Sequence, residues 1–553
     1  MSQYLVGDLA AEFLARCGVK AAFGVISVHN VPILDGIARQ QMVRFVMTRG
    51  EMGASHMADG YARASGGLGA LITSTGPGAA NAVSGLLEAG FAGTPVLHLT
   101  GQTPTKGISR AQGAVHDVTD QLGMLKSVSK AAYRINSAQE ALGVLTRAAV
   151  EALTPRCGPV SVEIPFDIQR TAIERPAAFD RFVLPLPPLR VPQGEELDRL
   201  VELVAAAKRP MLWLGNGARR AGDAARRLLA LGFGMVNSQA AQGIVAGDHP
   251  MNLGALNGSR HSSPDPVIEA LFDTCDLMLV AGSRLRVNET RDGNCRLPKN
   301  LIHLDIDPAA NGRTYQCRSF VCGDSAGTLG LLADRLQGRL QVDAAFRGDV
   351  AAAKSKATAE FRQTLGPYAD FPERLRAAMP RDTAWVRDVT LHNGSWGNKI
   401  FPVYGPHDSI YPIGLGIGQG LPLGIGAAVA ANARGRKVVM MAGDGGFALN
   451  MTELWTAVQE KLGMVILVMN DSGYGVIKHI QDILYGGRHS YGNLLTPDFG
   501  QLAQLAGMPF WKVGNTAQLG DMVTQALVVP GPAMVEVDMA SIGEFPAYVV
   551  PMK

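Results

Sequence analysis

The stretch KVVMMAGDGGFALNMTELWTAVQEKLGMVILVMNDSGYG, residues 437–475, decides how the rest of the chain is read. Val438 to Ala442 is an apolar run of strand length. Gly443-Asp444-Gly445-Gly446 then forms a turn that few other residues could make. Leu454, Trp455, Val458 and Leu462 recur at helical spacing, and Met464 to Met469 is a second apolar run ending in Asn470-Asp471-Ser472-Gly473. The pattern predicts a strand–helix–strand unit with oxygen ligands at the carboxyl end of each strand, where open α/β sheets bind their ligands. Gly443, Gly445 and Gly446 let the backbone approach a diphosphate, and the following helix would turn its free N–H groups toward it. Asp444 and Asp471, brought together by parallel strands, would make a Mg²⁺ site beside the phosphates. A lone Gly-Asp-Gly is weak evidence, since a tight turn explains it equally well; followed by an Asn-Asp pair on the next strand it is strong.

Length and composition set the frame. A chain of 553 residues predicts several domains, and 47% hydrophobic residues are ample for their cores. The net charge of +3 is small and its Lys and Arg are scattered, which argues against a nucleic-acid partner. Six cysteines without a C-x-x-C pair read as reduced thiols in a cytoplasmic protein. The N-terminus lacks a basic segment ahead of an apolar one, so no signal peptide is expected. Ile410 to Ala433 carries no charge, but its glycines and prolines read as a loop entering a helix rather than a membrane span.

Residues 1–180 alternate helix and strand: helices at Val6 to Cys17 and Glu51 to Ala64, strands at Ala21 to Val25, Val43 to Met47, Ala70 to Ile72, Val96 to Thr100 and Val160 to Ile164. A proline-rich linker, Arg175 to Pro192, leads to a second α/β region at 193–340, and an alanine-rich helical join, Asp343 to Arg362, leads to a third at 363–553. The expected class is α/β, with three doubly wound parallel-sheet domains, the middle one Rossmann-like, and their similar sizes suggest duplication. The middle domain carries G-x-G at Gly215 to Gly217, but the next strand ends without the acid a dinucleotide ribose needs, which excludes NAD.

On the Gly443 to Gly475 motif the chain resembles the thiamine diphosphate enzymes of the acetolactate synthase, pyruvate oxidase and benzoylformate decarboxylase superfamily. That family has pyrimidine-binding, central and diphosphate-binding domains, and the resemblance covers essentially the whole chain. It implies a Mg²⁺ held by Asp444, Asp471 and Gly473, and a diphosphate along Gly443, Gly445, Gly446, Tyr474 and Gly475. Asp471 stands where the family usually has Asn and adds a negative charge. Glu51, ahead of HMADGYAR, would hydrogen-bond the aminopyrimidine and promote ylid formation at C2; by itself it could equally be a helix-dipole acid. Ser74, Thr75, Gly76 and Asn81 would lie beside the pyrimidine. Ile417, just ahead of G-Q-G-L-P, would be the aliphatic wedge that bends the cofactor; by itself it could be core. Asn393 and Ser395 fall where relatives contact the diphosphate.

His29 and His116 are candidate proton shuttles, with Val28, Asp117, Val476, Ile477 and Ile480 around the substrate. The absence of Trp near Ile480 argues against acetolactate formation for branched-chain amino acids. Short segments look more like the subgroup containing 5-guanidino-2-oxopentanoate decarboxylase. The resemblance implies decarboxylation or carboligation of a 2-oxo acid through an ylid and an enamine. The alternatives are an acetolactate synthase-like carboligase and a flavin-assisted oxidase with FAD near Arg284 and Leu301 to Gly312. It also implies a homodimer at least, and a homotetramer as the expected state, with sites between subunits, a small-molecule substrate, and neither nucleic acid nor membrane as partner.

Overall fold

A computed structural model describes residues 3–110, 112–256 and 265–546. Residues 547–553, assigned above to the last domain, lie outside the described residues. Among the described residues, eighteen strands form three six-stranded sheets, and every pairing within them is parallel. The first sheet contains β1 (Ala21–Gly24), β2 (Arg44–Met47), β3 (Gly69–Thr73), β4 (Val96–Gln102), β5 (Ala131–Arg134) and β6 (Pro159–Pro165), in the order β2-β1-β3-β4-β6-β5. The second contains β7 (Pro210–Leu214), β8 (Gly234–Asn237), β9 (Asn252–Ala255), β10 (Leu277–Ala281), β11 (Leu301–Asp305) and β12 (Ser319–Cys322). Its order, β12-β11-β10-β7-β8-β9, is that of a Rossmann sheet. The third contains β13 (Ala384–Arg387), β14 (Ser409–Ile410), β15 (Val438–Gly443), β16 (Met464–Asn470), β17 (Phe510–Val513) and β18 (Ala533–Asp538). Its order, β14-β13-β15-β16-β18-β17, repeats that of the first.

The first and third sheets are buried on both faces, and strand periodicity sends alternate residues to different cores. On β15, Val438, Met440 and Ala442 join a core that also holds Phe23 and Val46 of the first sheet. Val439 and Met441 face the outer core of the third domain. Ala22, Leu97 and Leu99 face the outer core of the first. The two sheets therefore share one inner layer, whereas the central sheet has a core of its own.

That inner layer is where two helices meet, Glu51–Ser65 after β2 and Gly420–Asn432 after β14. They touch backbone to backbone. A Cβ on Gly60 would lie 2.2 Å from Leu423 O, and one on Gly426 would lie 2.0 Å from Met57 O. Every residue from Gly420 to Ala431 is buried, which accounts for the uncharged stretch without a membrane. Among the described residues no helix is long and apolar enough to cross one.

The single helix expected between β15 and β16 is instead broken. Asp444–Leu449 and Leu454–Gln459 flank a tight turn, Met451–Glu453. Asn450 holds the break by donating to Gly418 O at 2.7 Å. The turn swings Glu453 inward, where its carboxylate accepts the N–H groups of Arg49 and Gly50, each at 3.1 Å through Oε1, immediately ahead of Glu51. The acid is buried and its pKa is pushed up by that burial.

Candidate active site

The carboxyl ends of β15 and β16 form one edge of the site. Gly443 caps the short helix Asp444–Leu449, so the N–H groups of its first turn have no partners within the helix. At six residues its dipole is small, and these free N–H groups, rather than the long helix the sequence implied, would meet an anion. Gly445 cannot be replaced without rearrangement: a Cβ there would lie 2.6 Å from the Tyr474 ring. Gly475 is similarly constrained, its Cβ position 2.3 Å from Asp471 Oδ2.

Asp444 is fully buried. Its Oδ2 accepts from Gly473 N at 2.9 Å, and its Oδ1 takes no hydrogen bond among the described residues. Asp471 lies beside it, and both carboxyls are pushed above the usual range, Asp444 by burial and then by the Asp471 charge, Asp471 by burial. A buried carboxylate oxygen left unpaired next to a second carboxylate is costly unless a cation joins them. The residues present therefore fit a hard divalent ion such as Mg²⁺, with Asp444 and Asp471 as its side-chain ligands. Among the described residues there is no group of three or more His, Cys, Asp or Glu that could hold a metal.

Ile417 leans over this edge: Gly446 would place a Cβ 3.3 Å from its Cγ1. It is 43% exposed, so it is not an ordinary core residue. Asn393 and Ser395 are not brought to the edge. Both are buried, Asn393 accepting from Arg387 Nε at 2.8 Å and Ser395 donating to Leu391 O at 2.8 Å. Thr390 and Leu391 stand there instead, within 3.6 Å of a Cβ on Gly443 and 2.7 Å of one on Gly475. Sequence reading also missed Lys478, whose Nζ lies 2.5 Å from the Cβ position of Gly473 and whose charge draws the Asp471 pKa down against burial. It missed Asp388, fully buried against Gly446 and pushed up to about 6 by that burial. The lysine was hidden in the polar part of an amphipathic helix, and the aspartate in an unremarkable strand end.

The second edge belongs to the first sheet. Glu51 begins its helix, half-buried, and accepts from Asn81 Nδ2 at 3.3 Å. A Cβ on Gly78 would lie 2.8 Å from both Glu51 Oε1 and Ser74 Cβ, so the Ser74 to Gly78 loop rests directly against the acid. Gly76 needs its glycine, with φ +58 and a Cβ position 2.3 Å from His116 O. Gln121 ties the loop down, accepting from Thr75 Oγ1 at 2.9 Å and Gly76 N at 2.6 Å, and donating to Glu163 at 3.0 Å. The His29 and His116 rings are 5.3 Å apart, and His116 Nδ1 is 3.5 Å from Ser74 Oγ. Burial, then the neighbouring His116, lowers the His29 pKa, and its Nδ1 is buried without a partner. Val28 and Asp117 flank these rings in the chain, and Val28 is exposed.

Val476, Ile477 and Ile480 share the helix Gly475–Tyr485, and the i, i+3 and i+4 spacings put them on one side. Arg284, a candidate phosphate partner in the sequence, donates to Phe91 O at 3.1 Å and so bridges the central and first domains. No hydrogen bond among the described residues joins Glu51 or Asn81 to the turn from Asp444 to Gly475.

Residues 5–124 match the family "Thiamine pyrophosphate enzyme, N-terminal TPP binding domain", residues 197–332 its central domain and residues 388–537 its C-terminal TPP binding domain. The chain is 31% identical to a "Probable 2-ketoarginine decarboxylase" of Pseudomonas aeruginosa over 513 residues, covering 91% of this chain and 88% of the relative. It is 29% identical to a "Probable acetolactate synthase 2, chloroplastic" of Oryza sativa subsp. japonica, over 97% of this chain and 83% of the relative. A "Probable acetolactate synthase large subunit" of Methanocaldococcus jannaschii is 28% identical over 94% of this chain and 89% of its own length. These comparisons lend no support to a flavin in the central domain.

Proposed function

The chain belongs to the thiamine pyrophosphate enzymes, as a 2-oxo acid decarboxylase or carboligase, and from that premise we propose a decarboxylase whose reaction ends in protonation. The observation that carries this is the pairing of His29 with His116 beside the loop that also supports Glu51. A carboligase needs room there for a second carbonyl; a decarboxylase needs a proton donor.

The Gly443 to Gly446 turn and Gly473 to Gly475 would hold the diphosphate, with Asp444 and Asp471 on Mg²⁺. Their unpaired buried oxygen is what supports the metal. When bound, thiamine diphosphate supplies a thiazolium carbon that adds to the substrate carbonyl and accepts electrons as carbon dioxide leaves. Glu51 would hold a proton at the pyrimidine ring nitrogen, and Ile417 would support the bound cofactor from below, a positioning role. His116, with His29 behind it, hands over the final proton. Val476, Ile477 and Ile480 carry the stem of the substrate's side chain. The 2-oxo acid in the name of the decarboxylase relative, 2-ketoarginine, has such a stem and is the first candidate.

We further propose that Glu51 serves the Asp444 edge of a second copy. Phe91, Leu415, Ile417 and Leu449 are 45%, 50%, 43% and 48% exposed, Phe91 standing against Gly414 and Leu449 against Gly418 of the loop that carries the other two. A second chain would cover that rim. The test of the reaction is a set of 2-oxo acids, including 2-ketoarginine and pyruvate, incubated with thiamine diphosphate and Mg²⁺, with carbon dioxide and product mass measured. An aldehyde one carbon shorter is expected; a ketol from pyruvate would instead assign the acetolactate synthase reaction.

A further inference from the structure

The loop that carries Ile417 is gripped at both ends by buried carboxylates from different domains. At its entry, Glu88 of the first domain accepts Ile413 N at 2.5 Å and Gly414 N at 2.9 Å. Glu88 is 2% exposed and shares the Arg63 guanidinium, whose Nη2 lies 2.9 Å away, with the buried Asp59. Arg63 also donates to Tyr411 O at 2.7 Å, and Arg286 of the central domain donates to Ile413 O at 2.7 Å. At the exit, Asp388 accepts Gly418 N at 3.1 Å and Gly420 N at 3.0 Å. Between the grips, Leu415 and Ile417 are exposed and Leu415 has φ +62. A leucine disfavours that conformation, so the loop does not hold this shape of its own accord.

From this arrangement we propose that Glu88 and Asp388 are positioning residues for Ile417, setting its height above Gly446. The proposal rests on reading Ile417 as the wedge. Glu88 is suited to the task because two successive N–H groups converge on one carboxylate, a charge-assisted contact whose geometry is tightly fixed. The approach requires glycine at 414, where a Cβ would lie 2.6 Å from Phe91 and 2.9 Å from Glu88 Oε2. Neutralising Glu88 would leave an amide facing one of these N–H groups. The entry would loosen, Leu415 would relax to negative φ, and Ile417 would leave its place over Gly446. The first domain would thus tune the third domain's cradle within one chain, without touching the ligand.

The test is a double-mutant cycle on Mg²⁺-loaded protein, reading exchange of the bound thiamine diphosphate C2 proton with deuterium, cofactor affinity and melting temperature of the cofactor-free chain. Ile417→Ala should slow exchange, and Glu88→Gln should slow it about 10-fold or more with little change in affinity. The double variant should be no slower than Ile417→Ala alone, because Glu88 acts through Ile417. Exchange at the wild-type rate in Glu88→Gln, or effects that multiply in the double variant, would overturn the clamp while leaving the wedge intact. Wild-type exchange in Ile417→Ala would instead overturn the wedge and the clamp with it. Glu88→Asp keeps the charge beside Arg63 but shortens the reach, and gives the same reading if the amide variant does not fold.

Discussion

The first and third domains have the same strand order, place their functional groups at the same end of the sheet, and differ in how finished that end is. At the third domain's edge, Asp444, Asp471 and Gly473 already touch, and Asp444 Oδ1 has no hydrogen-bond partner among the described residues. At the first domain's edge, Glu51 is half-buried, meets Asn81, and lies against the Ser74 to Gly78 loop, which His116 also touches. Under the proposed reading, one edge would hold a ligand and the other would transfer a proton. One sheet frame thus carries two differently furnished edges, and the difference is written in the loops rather than in the sheets.

The reciprocal carboxylates make the same point. Glu453 of the third domain holds the N–H groups before Glu51, and Glu88 of the first holds those before the Ile417 turn. Each domain thus steadies the other's working loop across the shared helix layer.

The largest break in the comparison should come from Asp444→Ala. It removes the proposed metal ligand and should abolish Mg²⁺-dependent retention of thiamine diphosphate on dialysis, by roughly 100-fold or more in apparent affinity. Glu51→Gln should do the opposite. Turnover should fall by about 10²–10⁴ while bound cofactor, measured by calorimetry, changes little. If both variants lost cofactor equally, the two edges would not be functionally distinct.

Gly426→Ala strikes the layer that joins the two domains. The new Cβ would meet Met57 O, and the expected cost is roughly 1–3 kcal/mol, visible as a lower denaturation midpoint. Gly348→Ala, on the helix Phe346–Gln363 with nothing near its Cβ position, should be neutral or stabilising in the same assay.

The smallest effect concerns pH. The pKa values of Asp444 and Asp471 are both raised in the folded chain. Their contribution to stability is therefore complete at acid pH and is lost as pH rises through the raised values. Cofactor-free protein should lose melting temperature as pH rises from the ordinary aspartate value of 3.8 through the raised Asp444 value of about 7, and Asp471→Asn should recover about 1–2 kcal/mol of the loss at the higher pH. An unchanged pH profile in Asp471→Asn would mean that the pair is not electrostatically strained.

Most of the fold was legible in the sequence because the strands are buried on both faces and read as unbroken apolar runs. Val438 to Ala442 and Met464 to Met469 each fell within one residue of the observed strand ends. The broken helix between them was not legible. Leu454, Trp455 and Val458 keep helical spacing through a segment whose path is set by Asn450 and Gly418, distant in sequence. The cradle was legible through its glycines, whose close contacts leave no other residue type. Asp388, Glu88 and Gln121 were not, because a buried acid or amide is recognised by the N–H groups that converge on it, and those come from other segments. Asn393 Oδ1 and Ser395 Oγ instead bond to Arg387 and to Leu391 O, neighbours that the sequence does not single out.

The claim on which the account turns is that a working site joins the Glu51 edge of one copy to the Asp444 edge of another. Mixing the two inactive variants, Glu51→Gln and Asp444→Ala, under conditions that allow subunit exchange tests it directly. In a hybrid dimer one site receives the intact Glu51 and the intact Asp444, so carbon dioxide release from the substrate should reappear on mixing. If the mixture stays as inactive as its components while subunits demonstrably exchange, each site is confined to one chain and the account is wrong.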